Sequence, residues 1–390
     1  METALPLPPE WLRASLILVL AGGAGAPRRQ LLARFGDPQA ALEAGLRAWK
    51  AAGCAPGQCA RLANPDPDAL QRGLRWLQQP QHHLIGWHHP DYPPLLRQSP
   101  APPLALFVDG DPSALWHPAI AVVGSRSPSP GGRDHARRFA HALAGAGMAV
   151  ASGLAAGIDA AAHEAALASP HGLTLAVVGT GLDQVYPRHH AGLHRRIAAR
   201  GAVVSEHPPG TGARPGHFPA RNRILAGLSL GTLVIEAAER SGALITARLA
   251  AEAGREVFAL PGSVDNPLAR GCHRLIRDGA GLVESPAEVL SGVAPMAAEL
   301  ARTLRIRLSA PTETAQPASM PAYDPPDPDY QRLWQALGHD PTGMDSLIER
   351  TGLTAAALSS MLLVMELEGR VSAAHGRYVR TSGSFTSHSV

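Results

Sequence analysis

The amino-acid sequence predicts an α/β protein: a Rossmann-like doubly wound parallel sheet with a small N-terminal helical domain before it and a C-terminal winged-helix domain after it. Three observations carry this expectation. Between residues 118 and 290, six short apolar runs alternate with segments that are mostly long enough for helices, the pattern of a parallel sheet covered on both faces. Before residue 78, apolar residues recur three and four positions apart in segments broken by Gly and Pro. From 328 onward, three helical segments precede a two-strand pattern within about fifty residues, the layout of a winged helix.

In chain order, helices are expected over 11–20, 27–35, 40–50 and 67–77, making 1–78 a small helical domain. Residues 79–117 are rich in Pro and His and read as a connection into the core, with one short strand at 104–108. The core spans 118–290, with strands at 120–123, 148–151, 173–178, 202–204, 232–235 and 257–260. Pro295, Pro311, Pro317, Pro321, Pro325 and Pro326 mark 291–327 as a linker. In the winged helix (328–382), Thr354 starts the third helix, which runs to Glu368, and a His375-Gly376 turn follows it.

A chain of 390 residues with 45% hydrophobic content has room for two or three packed units. The formal charge is only +3, but its chemistry is unusual: Lys50 is the single lysine, so nearly all positive charge is guanidinium. Guanidinium is planar, pairs phosphate through two N–H groups and stacks on bases. Over 118–290 there are 17 arginines against 13 acidic residues, which makes the core the basic part of the chain. Cys54, Cys59 and Cys272 are too few for a disulfide framework, and no partners for a zinc site accompany them, so no metal or cofactor is expected. Residues 16–20 followed by Ala24-Gly25-Ala26 mimic a secretory leader, but Pro6, Pro8, Pro9 and Glu10 with only Arg13 make a poor basic start. A first buried helix is the better reading, and a cytoplasmic location is expected. No run has the length of a membrane span, so no membrane insertion is expected.

In an open parallel sheet, ligands bind beyond the carboxyl ends of the strands. Those ends carry Gly124-Ser125-Arg126, then Ser152-Gly153 leading to Asp159 and His163, then Gly179-Thr180-Gly181 followed by Tyr186-Pro187-Arg188. Three bare-backbone strand ends with Arg126 and Arg188 point to anion binding through amide N–H groups and helix dipoles. Gly179-x-Gly181 lacks the third glycine of a dinucleotide fingerprint, and no Walker lysine is present. The densest motif is Gly216-His217-Phe218-Pro219-Ala220-Arg221-Asn222-Arg223-Ile224. Arg221 and Arg223 read as lying at a helix start, where they oppose the helix dipole, so each needs either a phosphate or an acidic partner such as Glu206 or Glu236.

These residues carry a family resemblance. The strand-end motifs, Phe218 to Ile224 with Ala226-Gly227-Leu228-Ser229, Glu236 with Ser241 to Ala247, Gly254 to Val257, Leu260-Pro261-Gly262 and Tyr92-Pro93 resemble the DprA/Smf DNA-processing family over about residues 88–282. The resemblance implies a Rossmann-like homodimer that binds single-stranded DNA, protects incoming strands in natural transformation and helps load the RecA recombinase, with no catalytic reaction. It places Ser125, Arg126 and Arg188 at DNA-contacting positions. The expected DNA-binding set is Gly124, Ser125, Arg126, Ser152, Gly153, Gly179, Thr180, Gly181, Arg188, Arg221, Asn222 and Arg223. The chain departs from the family at Ala156, where Arg is usual, and at His190 and His273, where Asn is usual.

An alternative reading is a Rossmann-like hydrolase of nucleoside monophosphates, with Glu236 and His163 as acid/base groups; Gly231-Thr232 lacks the preceding Pro-Gly-Gly of that class. Helix capping or a buried hydrogen bond is the favoured reading of both residues. The third helix of the winged helix has no Arg or Lys, and Met361, Leu362, Leu363 and Met365 read as its core. That favours packing or protein contact over a major-groove reader, with Arg370, Arg377 and Arg380 left for wing contacts to DNA. The apolar stretch 244–253 with Val257 reads either as the dimer seam or as helix-on-sheet packing.

Overall fold

The computed structural model describes residues 9–309, 328–337, 342–367, 370–374 and 377–380. The chain forms two compact units, Met1–Ser309 and Ala310–Val390. The first unit opens with six helices: α1 (Pro9–Leu20), α2 (Gly25–Phe35), α3 (Pro38–Glu43), α4 (Gly45–Ala51), α5 (Pro56–Ala63) and α6 (Pro67–Leu77). Asp37 and Asp66 cap α3 and α6, each accepting two backbone N–H bonds ahead of a proline. The single helix expected over 40–50 is divided into α3 and α4 because Gly45 adopts φ +73°, which breaks the helical path. The sequence pattern does not reveal α5, whose N-terminus is held by Gln58 accepting from the Ala55 amide at 3.0 Å.

The sheet and its helices follow as β1 (His82–Gly86), α7 (Pro94–Arg97), β2 (Ala105–Gly110), β3 (Ala119–Val123), α8 (Pro130–Gly145), β4 (Ala149–Ser152), α9 (Ile158–Ala168), β5 (Thr174–Val177), α10 (Ala191–Arg200), β6 (Ala202–Ser205), α11 (His217–Leu228), β7 (Gly231–Val234), α12 (Gly242–Glu252), β8 (Glu256–Ala259), α13 (Arg270–Arg277), β9 (Gly281–Leu282) and α14 (Pro286–Ser309). Nine strands lie in the order β1-β2-β6-β5-β4-β3-β7-β8-β9. The six expected parallel strands are β3 to β8.

Two expectations need correction. Residues 79–117 do not merely connect to the core: β2 pairs antiparallel with β6, and β1 pairs antiparallel with β2. Proline and histidine in the intervening segments disguise this edge. Residues 291–327 are not a linker from their first residue, because α14 runs to Ser309 and contains Pro295. Val289, Val293 and Leu300 are buried in it and Met296 and Leu304 partly so, a helical stripe that packs with Phe258 and Phe139. That burial outweighs one lost backbone N–H.

Alternating residues of β3 show how the sheet is covered. Ile120 and Val122 join the cluster under α8, α9 and α14, while Ala119, Ala121 and Val123 join the one under α11, α12 and α13. From β3, successive crossovers run outward to β6; the chain then returns through α11 to β7 on the other side of β3. The strand order therefore reverses between β3 and β7, where an open α/β sheet leaves a crevice beyond its carboxyl ends.

The second unit consists of α15 (Pro328–Ala336), β10 (Thr342–Gly343), α16 (Met344–Thr351), α17 (Ala355–Leu367), β11 (Val371–Ala374) and β12 (Arg377–Arg380). Its strands pair antiparallel in the order β10-β12-β11, as in a winged helix. Met361, Leu362 and Met365 are buried with Leu333, Leu347 and Leu358, as expected of a packing helix. The Leu363 side chain, Glu368 and the His375-Gly376 turn lie outside the described residues.

Two histidines give the first unit a pH dependence. The Thr174 hydroxyl donates to the Val150 carbonyl, so His163, fully buried, must donate to it from Nδ1 at 2.7 Å. Its Nε2 is then a buried lone pair without a donor, and burial lowers its pKa from 6.5 to about 3. Burial likewise lowers His207 to about 4. Below about pH 6.5 the unfolded chain takes up these protons while the folded chain refuses them. Stability present above pH 6.5 is therefore lost as pH falls towards 4. Thermal melts over pH 4–7 should show a falling midpoint on acidification, with a shallower fall in His163→Asn.

Candidate nucleic-acid interface

The crevice at the strand reversal is an open pocket of about 560 Å³ beyond the ends of β3, β4 and β5. Its floor is Arg221. This side chain is only 5% exposed, donates to the Val177 carbonyl at the end of β5, and lies against Gly153. A Cβ on Gly153 would sit 2.1 Å from both Arg221 Nη atoms, so only glycine leaves room for the guanidinium. Asp159, also buried, accepts from the amides of Gly153 and Ala155 at 3.1 and 3.3 Å. Burial lowers the Arg221 pKa to about 10, with Asp159 opposing that shift and Arg126 adding to it. Burial raises the Asp159 carboxyl, with Arg221 opposing. Two guanidinium groups thus share one groove with a single buried carboxylate beneath them.

The placement of Arg221 corrects the helix-start expectation. α11 begins at His217, four residues before Arg221, because Pro219 fits the first turn where no N–H is needed. Arg221 and Arg223 therefore do not stand against the helix N-terminus, and their positions follow from tertiary partners. Arg223 is ion-paired with Glu206 at 2.8 and 2.5 Å.

At the groove mouth, Arg126 is exposed and makes no ion pair or hydrogen bond to the described residues. Its guanidinium carbon lies 5.8 Å from the centroid of the Phe218 ring, and Phe218 lies 5.2 Å from Tyr186. Tyr186, 47% exposed, precedes Pro187 through a cis peptide bond. The N-terminus of α12 forms the facing wall, with Ser241, Gly242 and Ala243. A cation over one ring of an aromatic pair, beside a helix N-terminus, suits a strand of phosphates and flat rings.

Of the twelve expected residues, Gly124, Arg126, Arg221 and Asn222 line this groove. Ser125 supports its rim: its amide donates to Glu236 O and its carbonyl accepts from Ile158. Ser152 is buried and donates to Val122 O. Gly179, Thr180 and Gly181 are buried and hold neighbouring loops, through His217 Nδ1, Gln184 O and Thr211 O respectively. Arg188 is exposed at the 3-10 turn before α10, outside the pocket lining. Tyr186, Phe218, Asp159 and Ser241 belong to the groove without having been singled out for it; the signal for the aromatic pair was their presence beside arginines in an aromatic-poor chain. The acid/base pair of the hydrolase reading is occupied structurally. Glu236 accepts from Ser129 N, Ser129 Oγ and Asn266 Nδ2 at 2.8, 2.5 and 3.2 Å, fixing the start of α8, and His163 is enclosed under the sheet. At the departures from the family, His190 Nδ1 bonds Leu154 O at 2.9 Å and His273 Nε2 bonds Gly262 O at 3.0 Å, while Ala156 is half-exposed.

Fold and groove together define a doubly wound α/β protein with an anion-competent crevice at its strand reversal and a winged helix in a separate unit. Residues 83–294 match the family described as DNA recombination-mediator protein A, and residues 316–377 match the DprA winged helix domain. Protein Smf of Escherichia coli is 41% identical over 328 residues, covering 83% of this chain and 84% of that one. DNA processing protein DprA of Streptococcus pneumoniae is 48% identical over 189 residues, 48% of this chain and 66% of that one. The X-ray structure of the S. pneumoniae protein superposes with a TM-score of 0.63 at 37% identity, covering 70% of this chain and 95% of that one. DNA processing protein A from Helicobacter pylori, whose single-stranded DNA binding mode is known, superposes with a TM-score of 0.50 at 28% identity over 55% of this chain and 96% of that one. The chain belongs to the DprA/Smf family.

The close fit beneath Arg221 makes a specific prediction. Gly153→Ala should destabilise the protein by about 1–3 kcal/mol through overpacking. Gly145→Ala, where nothing lies within 4 Å, should be neutral or stabilising. Urea denaturation of the two variants checks the contrast.

Proposed function

We propose that the chain binds single-stranded DNA in the groove at the strand reversal, without catalysing a reaction on it. The observation that carries this reading is Arg126, exposed and without an ion pair among the described residues, over the Phe218 ring with Tyr186 against that ring, at the mouth of an open groove. Phosphates would be neutralised by Arg126 and Arg188 and met by the α12 N-terminus, and bases would stack on the aromatic pair. Family membership and the single-stranded DNA binding of the H. pylori relative support it.

The finer role follows the family: protection of strands during natural transformation and delivery to a RecA recombinase, in the cytoplasm, by a homodimer. The proposed seam is the α12–β8–α13 face, where Leu244, Ile245, Val257 and Leu275 line an open pocket of about 700 Å³. The winged helix would serve protein contact, since α17 offers no cation.

The test is fluorescence anisotropy with single-stranded and duplex oligonucleotides over a salt series. Single strands should bind more tightly, with an affinity that falls linearly in log–log form as salt rises. Arg126→Ala should flatten that slope by about 0.7, the share of one phosphate contact on a single strand, equally for all sequences. Phe218→Ala should cost about 1–3 kcal/mol of binding. Equal affinity for duplex and single strand, or a salt-independent affinity, would contradict the reading.

A further inference from the structure

Between the N-terminal helices and the sheet edge lies a second hollow, a crevice of about 300 Å³ lined by Arg28, Arg29, Arg223 and Glu206. Three guanidinium groups face one carboxylate, and both oxygens of that carboxylate are engaged by Arg223. Arg28 is 5% exposed; its terminal nitrogens bond carbonyls at the end of α1 and in the turn after it, and its Nε has no acceptor. Arg29 donates to Pro102 O at 2.6 Å. Burial lowers its pKa, with Tyr92 opposing that shift and the neighbouring Arg223 adding to it.

The crevice wall adds donors. Gly22 and Gly23, at φ +62° and +68°, reverse the chain so that α2 starts beside the arginines. Ala24 at its N-cap supplies no side-chain acceptor. Of the residues at this helix start, Gly23 and Gly25 line the crevice, and their amides have no acceptor among the described residues. Cationic side chains and uncapped amides in one small hollow match a phosphate in charge and donor geometry. Consecutive residues of α11 separate the two sites: Asn222 lines the groove and Arg223 lines the crevice.

We propose that this crevice is a second phosphate station, holding a phosphodiester of the strand beyond the groove. The proposal rests on the single-strand reading of the groove, and it makes the N-terminal domain part of the DNA path.

Ala24→Asp tests it in the full chain. Aspartate at an N-cap stabilises the helix while placing a carboxylate between Gly23 and Gly25, at the rim of the crevice. Ala24→Ser caps without charge and serves as the control; thermal melts should show both variants folded. Binding is measured with oligothymidylates lengthened one nucleotide at a time. The wild type and Ala24→Ser should gain a step in affinity beyond the length that fills the groove, with the salt slope steepening by about 0.7 per added phosphate contact. Ala24→Asp should keep the affinity for short oligomers and lose the step. Wild-type affinity and slope in Ala24→Asp for long oligomers would overturn the proposal, as would a wild type without the step. Inorganic phosphate, at an ionic strength where chloride leaves the step intact, should compete the step away; a step that survives saturating phosphate would place the extra contact elsewhere and overturn the proposal. Absence of binding at every length would instead sink the groove reading, and this one with it.

Discussion

The groove depends on one buried cation. Arg221 lies under the carboxyl ends of β4 and β5, bonded to Val177 O, pressed against Gly153 and close enough to Asp159 for their charges to oppose each other's burial shifts. An ionised side chain that is 5% exposed is costly to desolvate, and removing one partner of such a pair leaves an uncompensated charge. The arrangement thus ties three elements into one fixed surface: the β4–α9 loop through Asp159, the end of β5 through its carbonyl, and α11 through the arginine itself. Arg126, on the β3 loop, meets this surface as a cation with no ion pair among the described residues.

A second constraint works around the first. Glu236, at the end of β7, joins the β3 loop to α8 and reaches Asn266 beyond β8. Its carboxylate occupies the α8 N-terminus, so that helix end is closed to ligand anions. The α12 N-terminus, by contrast, opens into the groove. Which of the strand-end helices can meet a phosphate is therefore decided by where the protein has placed its own carboxylates.

Much of the fold was legible in the sequence because β3 to β7 are short, mostly apolar runs buried on both faces and β8 ends in a buried Phe258-Ala259 pair, a pattern that needs no tertiary information. The edges were not. β1 begins with two histidines and β9 has two exposed residues, so neither carries a period. α14 was hidden by Pro295, although the spacing of Val289, Val293 and Leu300 was there to be read. At the site, residue types were legible and their roles were not. Arg221, Asn222 and Arg223 are consecutive, yet the first is a buried floor, the second lines the groove and the third is paired to Glu206 in a different hollow. Helical rotation and the partners supplied by distant segments make that distinction, and a linear motif carries neither.

The central claim is that the strand lies against Arg126, Tyr186 and Phe218. Photocrosslinking of the full chain to single-stranded DNA carrying 5-iodouracil, with the adducts mapped by mass spectrometry, tests it most directly. The account predicts adducts on Tyr186 and Phe218, lost at high salt together with binding. Adducts confined to the winged helix over 328–380, with none on the aromatic pair, would contradict it.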